Sequence, residues 1–243
     1  MAANYDDVFG AMIRKLARLA ALDAGDAAAI GALPFRVKFH TAGEYLVSEG
    51  DRVVHCCLLL EGHACRHKQA GDGGRQIVSF HVPGDILDLQ HLLLARADHN
   101  VQTLTPAAVA WIPAARLKAL AYTHPNIGDA LWRDTLIDAS IFREWVLNVG
   151  RRDAKTRIAH MLCEFLARRE AAGLGSPERS ELPMSQEHIA DATGLTPVHV
   201  NRMLHELARD GVIARNKRDV RIADWPRMKY IADFDAHYLH AAA

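Results

Sequence analysis

The residues best suited to chemistry lie in one segment, SQEHIADATGLTPVHVNRMLHELARDGVI, from Ser185 to Ile213. Ser185 carries the hydroxyl of a helix N-cap, Gln186 opens the first turn, and Ile189 begins an apolar face. Gly194 supplies the left-handed residue that ends such a helix. Thr196 followed by Pro197 then starts a second one, a hydroxyl cap with proline at the first helical position. In that second helix Val200, Met203, Leu204 and Leu207 fall on one side, and Val198, Asn201, Arg202 and His205 on the other. The outward set, completed by His199, matches the chemistry of base edges in a DNA major groove, which is just wide enough to admit a helix. An arginine at 202 offers two parallel donors to guanine O6 and N7, Asn201 suits adenine, and Val198 suits a thymine methyl. Thr196 sits where hydroxyl, backbone N–H and helix dipole together favour a phosphate. Downstream, GVIARNKRDVRIAD alternates around a tight centre like a small β-hairpin wing, with Arg215, Lys217 and Arg218 available to phosphates. From 196 to 222 there are six basic residues against three acidic ones. A helix pair with ordinary solvated charge is the competing reading, and the caps, turn glycine and wing in sequence favour DNA.

Other candidate chemistry is sparser. The chain has 14 histidines, and His63, Cys65 and His67 share one face of a strand-like run. Three such side chains suit a metal or haem contact, but a solvated strand face is the preferred reading. Adjacent Cys56 and Cys57 point to opposite faces, which suggests one core and one surface residue. The four cysteines form no CxxC pair and read as thiols. A metal-dependent enzyme on a β-barrel is the alternative that the histidines raise. No paired acid and base, no HExxH and no nucleophile motif supports it, so no catalytic residue and no metal ligand set is assigned.

The elements that must position these residues follow from period and punctuation. The 243 residues, at roughly 100–200 per domain, leave room for two domains, and half of them are apolar. The 29 basic and 29 acidic residues cancel, so any affinity for a polyanion has to come from local placement. No apolar run approaches the ~18 residues of a membrane span, and the N-terminus lacks a signal-peptide core, which reads as cytoplasmic with no membrane partner. A short helix is expected from Val8 to about Ala20, then a second turn or two capped by Asp26 and ending at Gly31. Between Phe35 and Pro113 the period drops to two. RVKFH, EYLV, HCCLLL, HACRHK, RQIVSFHV, NVQTL and AVAWI are short strands punctuated by glycine, which implies a β sandwich or barrel, and GDGG at 71–74 is its clearest hairpin. One long helix is expected from Pro125 to about Arg152, with Leu136, Ile137, Ile141, Phe142, Trp145, Val146, Leu147 and Val149 forming an arc too wide for one neighbour. That width implies two contacts, the chain's own β domain and a second copy, with Leu131, Ile137, Ile141 and Trp145 as the candidate dimer interface. A further helix at 154–169 buries Ile158, Met161, Leu162, Phe165 and Leu166. The stretch AAGLGSPERSELP reads as an exposed loop.

The segments AGEYLVSEGD, EG at 61–62 and PGD at 83–85, the long helix and the C-terminal winged helix-turn-helix, taken in that order, resemble a Crp/Fnr-type transcription regulator over nearly the whole chain. The resemblance implies an α+β architecture with three parts. These are an N-terminal β-roll of the cyclic-nucleotide-binding type over 1–124, a dimerisation helix over 125–152, and a winged helix-turn-helix over 153–243. It implies a homodimer on a palindromic operator in double-stranded DNA, with RNA polymerase as a partner if the protein activates. It also locates an effector pocket near Arg75, Leu87, Leu89, Gln90, Asp98 and His99. There the chain departs from nucleotide binders. Leu89 stands near the family's ribose-binding glutamate, and Asp98-His99 near the Arg-Ser pair that holds the cyclic phosphate, which an aspartate repels. These departures argue against cAMP or cGMP and against a plain cyclic-nucleotide-binding module. On the reading helix, Pro197 and Val198 replace the usual polar pair and only Arg202 matches. No cysteine precedes Cys56, so the N-terminal cluster-binding set is absent. A redox, haem or metal-responsive member of the same family remains the alternative. No cofactor is assigned, and the small-molecule effector is left open.

Overall fold

A computed structural model describes residues 7–179, 182–216 and 219–240. The chain divides into two compact units. Among the described residues, one comprises 7–66 and 81–138, and the other 67–80 and those from 139 to 240.

The first unit opens with helices α1 (Gly10–Ala17) and α2 (Ala24–Gly31). Asp23, not Asp26, caps α2. Its side chain accepts from the Asp26 amide at 2.8 Å, and the Asp26 carboxylate accepts from the Asp23 amide at 3.2 Å. A reciprocal box of this kind satisfies two amides that the first turn leaves without helical partners. The strands follow as β1 (Arg36–His40), β2 (Tyr45–Val47), β3 (His55–Glu61), β4 (Ala64–Gln69), β5 (Arg75–His81), β6 (Asn100–Thr103) and β7 (Ala107–Pro113). They form two sheets, ordered β1-β7-β3 and β2-β6-β4-β5, and both β1 and β3 run antiparallel to β7. Gly62 is obligatory at the β3–β4 corner. Its φ is +82°, and a Cβ there would lie 2.3 Å from the Pro106 carbonyl oxygen.

Strand β3 explains the core. Cys57 and Leu59 pack with Leu46, Ala64, Val101 and Val109 between the two sheets. Cys56 and Leu58 face the opposite way, into a second cluster with Met12 and Leu16 of α1, Ile30 of α2 and Ile127. Both cysteines are therefore fully buried, contrary to the expectation of one surface thiol, because helices cover the outer face of this sheet. Burial also raises the pKa of both thiols. A helix that the sequence reading passed over, α3 (Ala114–Thr123), sets Leu117 into the same outer cluster. The long helix α4 (Pro125–Arg151) begins there with Ile127, Ala130 and Leu131. Lys15 ties α1 to α4 through Asp134 at 2.8 Å and also pairs with Asp85 at 2.9 Å.

The second unit holds the end of β4, the hairpin turn 71–74, nearly all of β5, the rest of α4, α5 (Ala154–Ala171), α6 (Gln186–Thr193), α7 (Pro197–Arg209), β8 (Ile213–Asn216), β9 (Asp219–Ile222) and α8 (Trp225–Ile231). Helix α5 is buried on every side from Ile158 to Leu166, wider than the expected stripe. Its two polar members have partners. Glu164 accepts from Trp145 Nε1 at 3.0 Å and from the Tyr238 hydroxyl at 2.9 Å, and His160 Nδ1 donates to the Ala232 carbonyl at 3.1 Å. The arc of α4 is divided. Leu131, Ile141 and Trp145 are buried within their own chain, and Ile137 is half-buried. The apolar residues left exposed are instead Trp132 (62 %), Leu136 (53 %), Val146 (73 %), Leu147 and Val149. No helix among the described residues is long and apolar enough to cross a membrane.

Candidate nucleic-acid interface

Two short helices and a turn build the site. Ser185 caps α6 by accepting from the His188 amide at 3.2 Å, while the Ser185 amide donates to His188 Nδ1 at 3.3 Å. Histidine thus fills the place that glutamate usually takes in such a box. Ile189, Ala190 and Ala192 are buried, and small side chains there let α7 approach. Gly194 adopts φ +66°, and the Leu195 amide bonds the Ala190 carbonyl at 3.1 Å, which closes α6 and turns the chain. Thr196 Oγ1 then accepts from the His199 amide at 3.2 Å, and Pro197 stands at the first position of α7.

Helix α7 is amphipathic in the sense its spacing demands. Val200, Met203, Leu204 and Leu207 are buried, and Val198 is 81 % exposed. Arg202 and His205 are exposed, while His199 and Asn201 are half-buried. Arg202 donates to His199 Nε2 at 3.0 Å, which extends the guanidinium along the outer face. Ser185 is exposed and Gln186 half-buried at the start of α6. The wing is present as β8 paired antiparallel to β9, from Ile213 opposite Ile222 to Asn216 opposite Asp219. Lys217 and Arg218 lie outside the described residues.

The expected effector residues are divided between two places. Leu87 and Leu89 are buried in the first unit, and Leu87 packs between the sheets. Gln90 and Asp98 meet around His99 there, with Gln90 Nε2 3.1 Å from His99 Nε2 and Asp98 Oδ1 2.7 Å from His99 Nδ1. Arg75 is not part of this group. It forms an ion pair with Asp191 of α6 at 2.6 Å, and its neighbour Gln76 donates to the Ala192 carbonyl at 3.1 Å. The sequence reading passed over three residues of the region. Arg66 is buried, pairs with Asp138 at 2.7 Å and donates to the Leu87 carbonyl at 2.8 Å. Asp88 is buried, accepts from the Cys57 amide at 2.9 Å and has its pKa raised by burial to about 7. His91 stacks on His99 with ring centroids 5.5 Å apart. Burial keeps both imidazoles below the usual histidine range, His99 at about 4. An arginine within the strand-like run HACRHK was the signal in the sequence that could have found Arg66. Cys65 and His67 are buried rather than solvated, and among the described residues they join no group of three possible metal ligands.

Comparison with known proteins agrees with both halves of the chain. Residues 37–124 match the cyclic nucleotide-binding domain, and residues 156–231 match the Crp-like helix-turn-helix domain. The chain is 30% identical to the transcriptional activator protein FnrL of Cereibacter sphaeroides, over 78% of this chain and 77% of that one. It is also 30% identical to the nitrogen fixation regulation protein FixK of Bradyrhizobium diazoefficiens, over 90% and 91% of the two chains. The solved structure of FixK2 from Bradyrhizobium japonicum superposes with a TM-score of 0.73 at 25% identity, covering 87% of this chain and all of that one. Both relatives are named as regulatory proteins, and FnrL as an activator of transcription. With a β-rich cyclic-nucleotide-binding-type domain, a long helix and a winged helix-turn-helix in that order, the chain belongs to the Crp/Fnr family of transcription regulators.

Proposed function

We propose that the protein works as a homodimer that reads a palindromic operator, one α7 in each of two successive major grooves. The observation that carries this reading is the two-sidedness of α7. A buried row from Val200 to Leu207 fixes the helix, and Val198, Arg202 and His205 stay free of the core. In this reading Arg202 binds a guanine, Asn201 an adenine and Val198 a thymine methyl, while His199 and His205 border the contact. Ser185, Gln186 and Thr196, at two helix starts, with Lys217 and Arg218 on the wing, hold phosphates. The dimer face is the exposed apolar row of α4, Trp132, Leu136 and Val146, rather than Leu131, Ile141 and Trp145, which the protomer buries. Residues 1–124, 125–152 and 153–243 then serve as sensor, dimer helix and reader. FnrL and other relatives are named as transcriptional activators, which supports activation here and a contact with RNA polymerase. Selection from random duplexes tests the reading. It should return a two-fold-symmetric site with half-sites about 34–36 Å apart, and recovery of a single asymmetric site overturns it.

A further inference from the structure

Three possible metal ligands converge at the end of the first unit, on residues that the helix-turn-helix does not use. His91 lies in a single 3-10 turn, Leu89–Leu92, and Asp98 and His99 directly precede β6. One ligand atom from each of His91, Asp98 and His99 lies within 4.8 Å of the other two. His91 is only 5 % exposed, and its ring nitrogens make no well-formed hydrogen bond, only looser approaches to the backbone of Arg96 and Asp88. A buried polar side chain left in that condition forfeits free energy that water would have supplied, and native proteins rarely tolerate it without a reason. Burial of a stacked histidine pair beside a carboxylate has such a reason if an ion completes the group.

We propose that His91, Asp98 and His99 bind one divalent first-row transition-metal ion of the zinc class. Two imidazoles and a carboxylate suit such ions, whereas calcium and magnesium favour all-oxygen sets. The His99 ring already bonds Asp98 and Gln90, so rotation of one side chain releases a lone pair. Asp98 is 77 % exposed at its side chain and is the ligand able to move, closing the set toward the roughly 2.0–2.2 Å bond lengths of zinc. Its exposure also gives the ion a way in and leaves a fourth position for water or an added ligand. The Arg66 guanidinium, whose charge acts on both histidines, is compensated by Asp138 at 2.7 Å. An ion here joins the 3-10 turn to the start of β6, two segments of the first unit with no ligand of their own in the reading above. The site therefore supplies a chemical class for the open effector, and it stands or falls independently of how DNA is read.

The test is a titration of the chelator-treated full-length protein with Co2+, followed by its visible absorption, and competition with Zn2+. One saturable equivalent per chain is expected. Asp98→Asn and His91→Gln should each weaken it by about tenfold or more, and His63→Gln should leave it unchanged. Absence of a saturable equivalent overturns the proposal, as does equal uptake by wild type and both variants, which assigns the ion to other histidines. If His91→Gln does not fold, the exposed Asp98→Asn decides the matter. Duplex binding measured on the same samples separates the two readings, because a wild-type protein that takes up no metal yet binds its operator overturns only this one.

Discussion

Single side chains divide into those that would specify sequence and those that hold the reader together. In the proposed reading Arg202 belongs to the first kind, because a bidentate guanidinium discriminates guanine from the other bases. Arg202→Ala should cost about 1–3 kcal/mol of operator affinity and relax preference at one base pair, as read by competition with variant duplexes. Lys217→Ala should instead weaken all sequences alike and lower the salt slope by about one. Glu164 belongs to the second kind. It is buried against Trp145 and Tyr238, and burial raises its pKa despite the opposing charge of Arg168, with Glu144 adding in the same sense. A carboxyl whose pKa is higher folded than unfolded binds more protons in the native state, so its contribution to stability declines as pH rises above the ordinary value of 4.5. Urea melts at pH 5 and pH 8 should therefore show a loss in the wild type that Glu164→Gln lacks. The variant should be weaker at both values, because the amide nitrogen that replaces one carboxylate oxygen sets a donor against the Trp145 N–H or the Tyr238 hydroxyl.

At the level of elements, the helix-turn-helix was the most legible part of the chain. Its signals are local: a hydroxyl cap satisfies an amide three residues on, and a turn glycine acts on the helix immediately before it. Gly194→Ala should cost about 1 kcal/mol or more in thermal or urea unfolding, since φ there is +66°. The strands were legible for a similar reason, with RVKFH matching β1 residue for residue. Less was legible where packing decides. Period two on β3 gave two faces but not that helices and the second sheet cover both, so Cys56 and Cys57 were misassigned as one inside and one outside. The arc on α4 was visible, but not which part its own chain would bury. The Arg75–Asp191 pair joins residues 116 apart and carries no signal in local sequence. Both partners are partly exposed, so Asp191→Ala should cost no more than about 1 kcal/mol in urea unfolding.

For the whole molecule the decisive quantity is the apolar surface left over after each protomer folds. Trp132 and Val146 remain 62 % and 73 % exposed on a helix of 27 residues, and such a row on a folded chain marks an association surface. The double variant Leu136→Glu, Val146→Glu should run as a monomer in light scattering and still unfold cooperatively, because neither side chain is buried in the protomer, at a midpoint that no longer depends on protein concentration. It should bind an isolated half-site as the wild type does and lose preference for the full palindrome. An unchanged dimer mass would move the interface to another face.

The sequence by itself determined the order of elements, the caps and turn of the reading motif, the outward row of α7 and the family, because these depend on residues within a few positions of one another or on a serial pattern. Tertiary structure alone decided which α4 residues stay available to a partner, that both faces of β3 are covered, and that His91 meets Asp98 and His99 while Arg75 pairs elsewhere. The physical reason is that periodicity reports which face of an element is apolar, but not how many neighbours will cover it. Burial, and the polar encounters that burial enforces, are properties of the packed chain.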